Sequence, residues 1–524
     1  MRKNKSRHSR PAFITYIVIF VLLGIASIAY VASRYKYLHF GDAKIDEIIF
    51  YFLNGFDGQS TSLLETVQDN LLFCGIVFFL LLLPVVDFYR NRISITLDLS
   101  FLGRKKATTI NPSRIPLKAK LIYALSMFAI SVALLLNSFS VFDYVVSLAR
   151  TSQLFEQHYV DPRKPALTFP ENKRNLIYIY LESMENTVAS IEHGGRADRS
   201  IIPELESLAL DPQNISFSHQ EDRLGGALPA YGTTWTVGAI TAQSAGVPLK
   251  PNMLGEDHNG FGRFKNFLPG AYTLGEILEK EGYNQTFMIG SEATFGGRDK
   301  LLSQHGDYHI MDYTYAIENE MIPSDYKVWW GYEDKKLFEH AKTELGRLSQ
   351  LDDPFNFQML TVDTHFTDGW LDPTCPTPYE KQYDNVHACS SQQVGEFVEW
   401  IQSQPFADNT TIIITGDHLG MQTSYYNELI TEPDYRRTMY NVFINPAITP
   451  INSTSRLFSS FDMYPSTLAA MGVVIDGNQM GLGVNLFSEK STLIEQYGSL
   501  ETFNEELAKR SEYYERTILV PSDK

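Results

Sequence analysis

The chain has 524 residues, 44% of them hydrophobic, and carries 44 Lys+Arg against 61 Asp+Glu, a formal net charge of −17. The charge is unevenly spread: residues 1–150 hold 17 basic and 9 acidic side chains, leaving 27 and 52 for residues 151–524. So acidic a body argues against a nucleic-acid partner, and a well-solvated surface accounts for most of its carboxylates.

Residues 1–145 read as a membrane region. Three apolar stretches, at about 12–33, 70–88 and 121–142, are each long enough at ~1.5 Å per residue to cross or nearly cross a bilayer core. The middle one is short and holds Pro84, which neighbouring helices can accommodate. Arg2, Lys3, Lys5, Arg7 and Arg10 precede the first stretch, and Arg90, Arg92, Arg104, Lys105, Lys106, Arg114, Lys118 and Lys120 lie between the second and third. Positive loops stay inside, so the amino terminus is expected in the cytoplasm and everything after Phe142 outside. The first apolar run is longer than a signal-peptide core and is followed by no clean cleavage site.

Residues 146–172, with Pro162, Pro165 and Pro170, read as a linker to a catalytic domain over 173–524. Strand-like and helical segments then alternate. NLIYIYLES is followed by helical stretches around 203–210, near Thr233 and around 274–281, and then by YNQTFMIG. The helix LFEHAKTELGRLSQ, the strand FNFQMLTVDTH, the helix QQVGEFVEWIQSQ and the strands TTIIITGDH and YNVFIN complete the series. This alternation predicts an α/β fold with a mostly parallel sheet flanked by helices on both faces. Cys375 and Cys389 are the only cysteines of the outer domain and enclose a short polar segment; a disulfide between them is expected outside the cytosol.

Four separated residues could assemble one metal site: Glu182, Thr233, Asp417 and His418. Two carboxylates, an imidazole and a hydroxyl suit a divalent cation that activates the hydroxyl as a nucleophile, which points to phosphoryl or sulfuryl transfer. In open α/β sheets ligands bind beyond the carboxyl ends of strands, where NLIYIYLES and TTIIITGDH deliver their acids. Taken singly the signals are weak. An Asp-His dipeptide is common in turns, and Thr233, Thr234 and Thr236 could simply cap a helix.

The runs NLIYIYLESMENT, YGTTWTVGAITAQSAGVPL and TVDTHFTDG, the GDH motif, FDMYPSTLAAMG and GLG occur in that order. Together they resemble the bacterial phosphoglycerol transferases of the alkaline phosphatase/sulfatase superfamily, with lipoteichoic acid synthases as more distant relatives. The resemblance implies that Glu182, Asp417 and His418 ligate one divalent ion, Mn2+ or Mg2+, beside a nucleophile at Thr233. Thr234 then stands in the first turn of a helix, and Thr236 buttresses the site through a hydrogen bond. Glu185 is read as a solvated acid favoured by a helix amino terminus. The resemblance places His365 near the phosphate as a hydrogen-bond donor or general acid, and Arg298 on phosphate or glycerol oxygens. Gly296 stands where the teichoic acid enzymes carry an aromatic. Asp363, His305, Trp330 and Asp334 fall in family-like stretches and are read as structural.

The implied reaction takes phosphoglycerol from a phosphatidylglycerol-type lipid, releases diacylglycerol, and passes the group through a threonine ester to a periplasmic glucan. The bilayer and its lipid are therefore expected partners. Rival readings are a phosphoethanolamine transferase, which resembles a pattern with a further Glu after Asp-His and several disulfides, and an inactive scaffold. The calcium sulfatases carry a cysteine-derived nucleophile, and TTWT contains no cysteine.

Overall fold

The computed structural model describes residues 9–40, 45, 48–49, 62–86, 95–98, 107–110, 115–250 and 266–520. The chain divides into two compact units, residues 1–40 with 61–142 and residues 41–60 with 143–524.

Among the described residues, the first unit holds the helices α1 (Ser9–His39), α2 (Ser62–Leu82) and α3 (Leu117–Ser138), with an antiparallel strand pair Ile95–Asp98 and Ala107–Ile110. Ile19, Leu23, Val85 and Ala124 form its small core. Ser27 donates to Cys74 O at 2.7 Å and Lys120 to Val85 O at 2.8 Å, satisfying polar groups between the helices. Outward faces are apolar, with Phe13, Leu72 and Ile122 all exposed.

Two helical segments, Ala12–Leu38 and Leu117–Ser138, are long and apolar enough to cross a membrane. The third expected span is cut short. The apolar part of α2 is Asn70–Leu82, because Glu65 and Asp69 occupy its earlier turns and the chain leaves the helix just before Pro84. Thirteen residues reach ~20 Å, less than the ~30 Å hydrocarbon core. The cations at 2–7, 90–92, 104–106 and 114, on which the orientation was read, lie outside the described residues.

The second unit is organised around a six-stranded sheet: β1 (Asn175–Leu181), β2 (Asn284–Ile289), β3 (His309–Met311), β4 (Phe355–Leu360), β5 (Thr410–Gly416) and β6 (Asn441–Ile444). Their order is β3-β2-β4-β1-β5-β6, parallel throughout except for β6, which runs antiparallel to β5. Strand β1 is central and wholly buried, as expected for a continuous apolar run with both faces covered.

Alternation along β1 divides the core. Leu176, Tyr178 and Tyr180 enter a layer shared with Val237 and Ile240 of α4 (Thr236–Ala245). Ile177, Ile179 and Leu181 enter the opposite layer with Leu337 and Phe338 of α5 (Asp334–Leu348) and Phe397 of α6 (Gln382–Gln402). The period of two thus places helices on both faces. Helix α7 (Ser460–Ala470) joins the first layer through Phe461, Tyr464 and Leu468.

Candidate metal centre and nucleophile

Strands β1 and β5 are parallel neighbours, with Leu181 opposite Gly416. The next residues, Glu182 and Asp417, therefore leave the sheet side by side at its carboxyl edge. Gly416 permits this approach: a Cβ there would lie 1.8 Å from Met184 O. Ser183, at φ +56°, turns the chain so that its N–H donates to Asp417 Oδ1 at 2.8 Å. Thr361 accepts from the Glu182 N–H at 3.1 Å and Thr364 donates to Glu182 O at 2.5 Å, so the exit of β4 fixes the same corner.

Glu182, Asp417 and His418 each present one ligand atom, all within 4.8 Å of one another, and all three side chains are buried. His418 Nε2 is 3.4 Å from Glu182 Oε1 and 3.5 Å from Asp417 Oδ2. Asp417 Oδ1 accepts two backbone N–H groups, whereas buried Oδ2 has no hydrogen-bond partner. Nδ1 of His418 donates to Leu419 O at 2.8 Å, which aims Nε2 at the carboxylates.

The hydroxyl beside this triad belongs to Thr236. Its Oγ1 donates to Glu182 Oε2 at 3.3 Å and lies 3.4 Å from His418 Nε2. Thr233, the expected nucleophile, is buried and donates to Ala230 O at 2.9 Å. The difference arises from where the helix starts. Gly232 has φ +80°, and Trp235 remains extended (φ −141°, ψ 158°) with its indole buried, so α4 begins at Thr236. Thr236 thus stands at the helix amino terminus, where free N–H groups and the dipole favour an anion.

Burial alone would raise the Glu182 carboxyl, but the neighbouring His418, His365 and Ser183 outweigh it and hold it at about 2. Burial would lower His418, yet Asp417 and Glu182 push it up to about 10. Burial and the adjacent Glu182 raise Asp417. The two buried carboxylates thus favour positive charge beside them, which the His418 proton supplies.

Glu185 is not a solvated helix acid. It is fully buried, forms a two-pronged ion pair with Arg437 at 2.9 and 2.5 Å, and accepts the Gly420 N–H at 2.8 Å. It is a strut beneath the loop that follows His418.

Further along the carboxyl edge, His365 follows β4, its Nδ1 paired with Phe366 O at 2.7 Å. Its ring lies between Trp330 and Phe366, with centroids 4.5 and 4.8 Å away. Burial lowers its pKa, and Glu182, His418 and Arg298 all act on it electrostatically. Arg298 is buried, bonds Glu292 O at 2.8 Å, and lies 5.6 Å from the Phe295 ring centre. Gly296 adopts φ +69° beside it. Asp334 accepts the N–H groups of Val362 and Asp363, and Asp363 accepts that of Asp334, which locks α5 to the β4 exit. His305 bonds Phe267 O at 2.6 Å and Glu276 at 3.0 Å, away from the triad's partners. Cys375 and Cys389 are disulfide-bonded, with Cα atoms 5.6 Å apart, tying the segment after His365 to α6. Thr236, expected to buttress the site through a hydrogen bond, is the threonine whose hydroxyl meets Glu182 and His418.

Residues 230–473 match the sulfatase family. Phosphoglycerol transferase I of Escherichia coli (strain SMS-3-5 / SECEC) is 31% identical over 284 residues, covering 52% of this chain and 34% of that protein. The chain thus matches about a third of the length of this relative. Among solved structures, an alkaline phosphatase superfamily protein from Vibrio parahaemolyticus shares 21% identity at a TM-score of 0.45, covering 62% of this chain and 72% of that one. The lipoteichoic acid synthase LtaP from Listeria monocytogenes shares 18% identity at a TM-score of 0.45, covering 62% and 79%.

Sulfatases use a divalent metal, and the triad here suits one. Two carboxylates, one imidazole with its Nε2 turned inward and an unpartnered buried Asp417 oxygen make a donor set for a hard or borderline divalent cation.

Proposed function

We propose that this chain is a membrane-anchored phosphoglycerol transferase. It takes the phosphoglycerol group of a phosphatidylglycerol-type lipid and transfers it to a hydroxyl of a glucan, through an ester on Thr236. The supporting observation is the Thr236 hydroxyl, at a helix amino terminus and 3.3 Å from Glu182 and 3.4 Å from His418. Glu182, Asp417 and His418 would hold the cation, Mn2+ or alternatively Mg2+, whose Lewis acidity would stabilise charge on the threonine oxygen and the phosphoryl group.

The residues themselves define the rest. Thr236 Oγ1 attacks phosphorus as the bond from phosphorus to the diacylglycerol oxygen breaks; the proton lost by the threonine balances the one gained by diacylglycerol. The first-turn N–H groups of α4 face the phosphoryl oxygens, and Arg298 supplies charge nearby. In the second half, a sugar hydroxyl attacks the same phosphorus as the bond from phosphorus to Thr236 Oγ1 breaks, and the hydroxyl's proton passes to Thr236 Oγ1. Burial lowers the His365 pKa and its Nδ1 donates to Phe366 O, so Nε2 would take the proton of the incoming hydroxyl and pass it on to Thr236. The two apolar helices would hold the domain at an inner-membrane surface on the periplasmic side, raising the effective concentration of lipid head groups.

The test is to incubate the full chain in detergent with head-group-labelled phosphatidylglycerol and no acceptor, then map the label by mass spectrometry. The expected ester is on Thr236, absent in Thr236→Ala and retained in Thr233→Ala. An ester on Thr233, or none on either, would overturn the proposal.

A further inference from the structure

Two rings at the border of the site, Phe295 and Trp330, have no part in the chemistry above. Arg298 lies over Phe295, the Phe295 and Trp330 rings are 5.2 Å apart, and Trp330 is 4.5 Å from His365. Trp330 comes from a turn anchored on the exit of β2. Val328 N–H donates to Gly331 O at 2.8 Å, Gly331 bridges Ser291, and Tyr332 N–H donates to Gly290 O at 2.9 Å. Two glycines let the turn seat this closely: a Cβ on Gly331 would lie 1.9 Å from Gly290 O, and one on Gly290 2.2 Å from Tyr332 O. The turn therefore presents a half-buried indole at a fixed place on the carboxyl edge, against the ring assigned as base.

We infer that Trp330 is a specificity-determining residue that binds the acceptor, its indole packing against a pyranose ring so that one sugar hydroxyl meets His365. An indole offers a large, rigid apolar face with few rotamers to freeze, which suits the C–H face of a sugar and gives little to a charged phosphoglycerol group. The neighbouring Arg298 covers the other need, so cation and indole divide phosphate from sugar. This inference rests on the transferase reading for its acceptor class, but binding can be read without turnover.

The experiment titrates the full chain in detergent with a glucose oligosaccharide, following calorimetric heat and tryptophan fluorescence in the wild type, Trp330→Phe and Trp330→Ala. Trp330→Ala is expected to weaken binding at least about tenfold and Trp330→Phe about threefold or less. In acceptor-dependent turnover, Trp330→Ala should raise the acceptor KM by a similar factor and change the lipid KM less than about twofold. Unchanged oligosaccharide affinity in Trp330→Ala, or no binding by the wild type, overturns the assignment. If Trp330→Ala does not fold, loss of less than half the fluorescence response in Trp330→Phe does the same. Failure to release diacylglycerol from phosphatidylglycerol would count against the transferase reading alone.

Discussion

Replacing Arg437 by Met should destabilise the second unit by about 3 kcal/mol. Breaking a buried ion pair by removing one partner typically costs ~3–5 kcal/mol, because the other charge is left uncompensated. Glu185 is fully buried, whereas the Arg437 side chain keeps 20% of its surface exposed. The carboxylate would also retain the Gly420 N–H at 2.8 Å and the Thr187 hydroxyl, which places the expected cost at the lower end. Adding Glu185→Gln removes the orphaned charge, so the double variant should be more stable than Arg437→Met by about 1–2 kcal/mol. Urea unfolding of the full chain in detergent, at fixed metal concentration and with the slope checked for each variant, measures both differences. An Arg437→Met cost below about 1 kcal/mol, or a double variant no more stable than Arg437→Met, would refute the account of Glu185 as a buried strut.

Two further expectations concern stability. His387 is wholly buried on α6 with its ring 4.4 Å from that of Tyr383, and burial lowers its pKa to about 3. Its folded value lies below its unfolded one, so the unfolded chain takes up the extra proton. Its contribution should be complete above about pH 6.5 and lost as the pH falls from there towards about 3, with a slope of at most about 1.4 kcal/mol per pH unit. In His387→Leu the acid limb of stability against pH should flatten; an unchanged limb would show that His387 does not set it. Cys389→Ser opens a loop of sequence separation 14 and should cost about 3 kcal/mol by the chain-entropy account, measured as a shift in urea midpoint without reductant. A midpoint equal to the wild type would contradict a stabilising role for this bond.

Much of the second unit was legible because β1 and β5 are continuous apolar runs ending in acids, and parallel pairing of such strands brings their ends together. That placed Glu182 beside Asp417 and His418 across more than two hundred residues. Which threonine meets the triad was harder to read. Three threonines within four positions all suit a helix start, and only the buried Trp235 and left-handed Gly232 decide that the helix begins at Thr236. Glu185 was misjudged because its partner Arg437 lies 252 residues away, beyond any local pattern. The middle apolar stretch overran its helix because Pro84 and the acids before Asn70 limit it at both ends. Strand β3 has three residues, too few to show a period, and Trp330 reaches His365 only through the packing of two glycines.

The central claim is that Glu182, Asp417, His418 and Thr236 surround one cation. A crystal of the chain soaked in Mn2+ and measured at the manganese absorption edge tests it most directly. The account predicts a single strong anomalous peak bonded to the two carboxylates and to His418 Nε2, with the Thr236 oxygen as a further ligand. A peak that instead includes Thr233, or none at the triad, would contradict it.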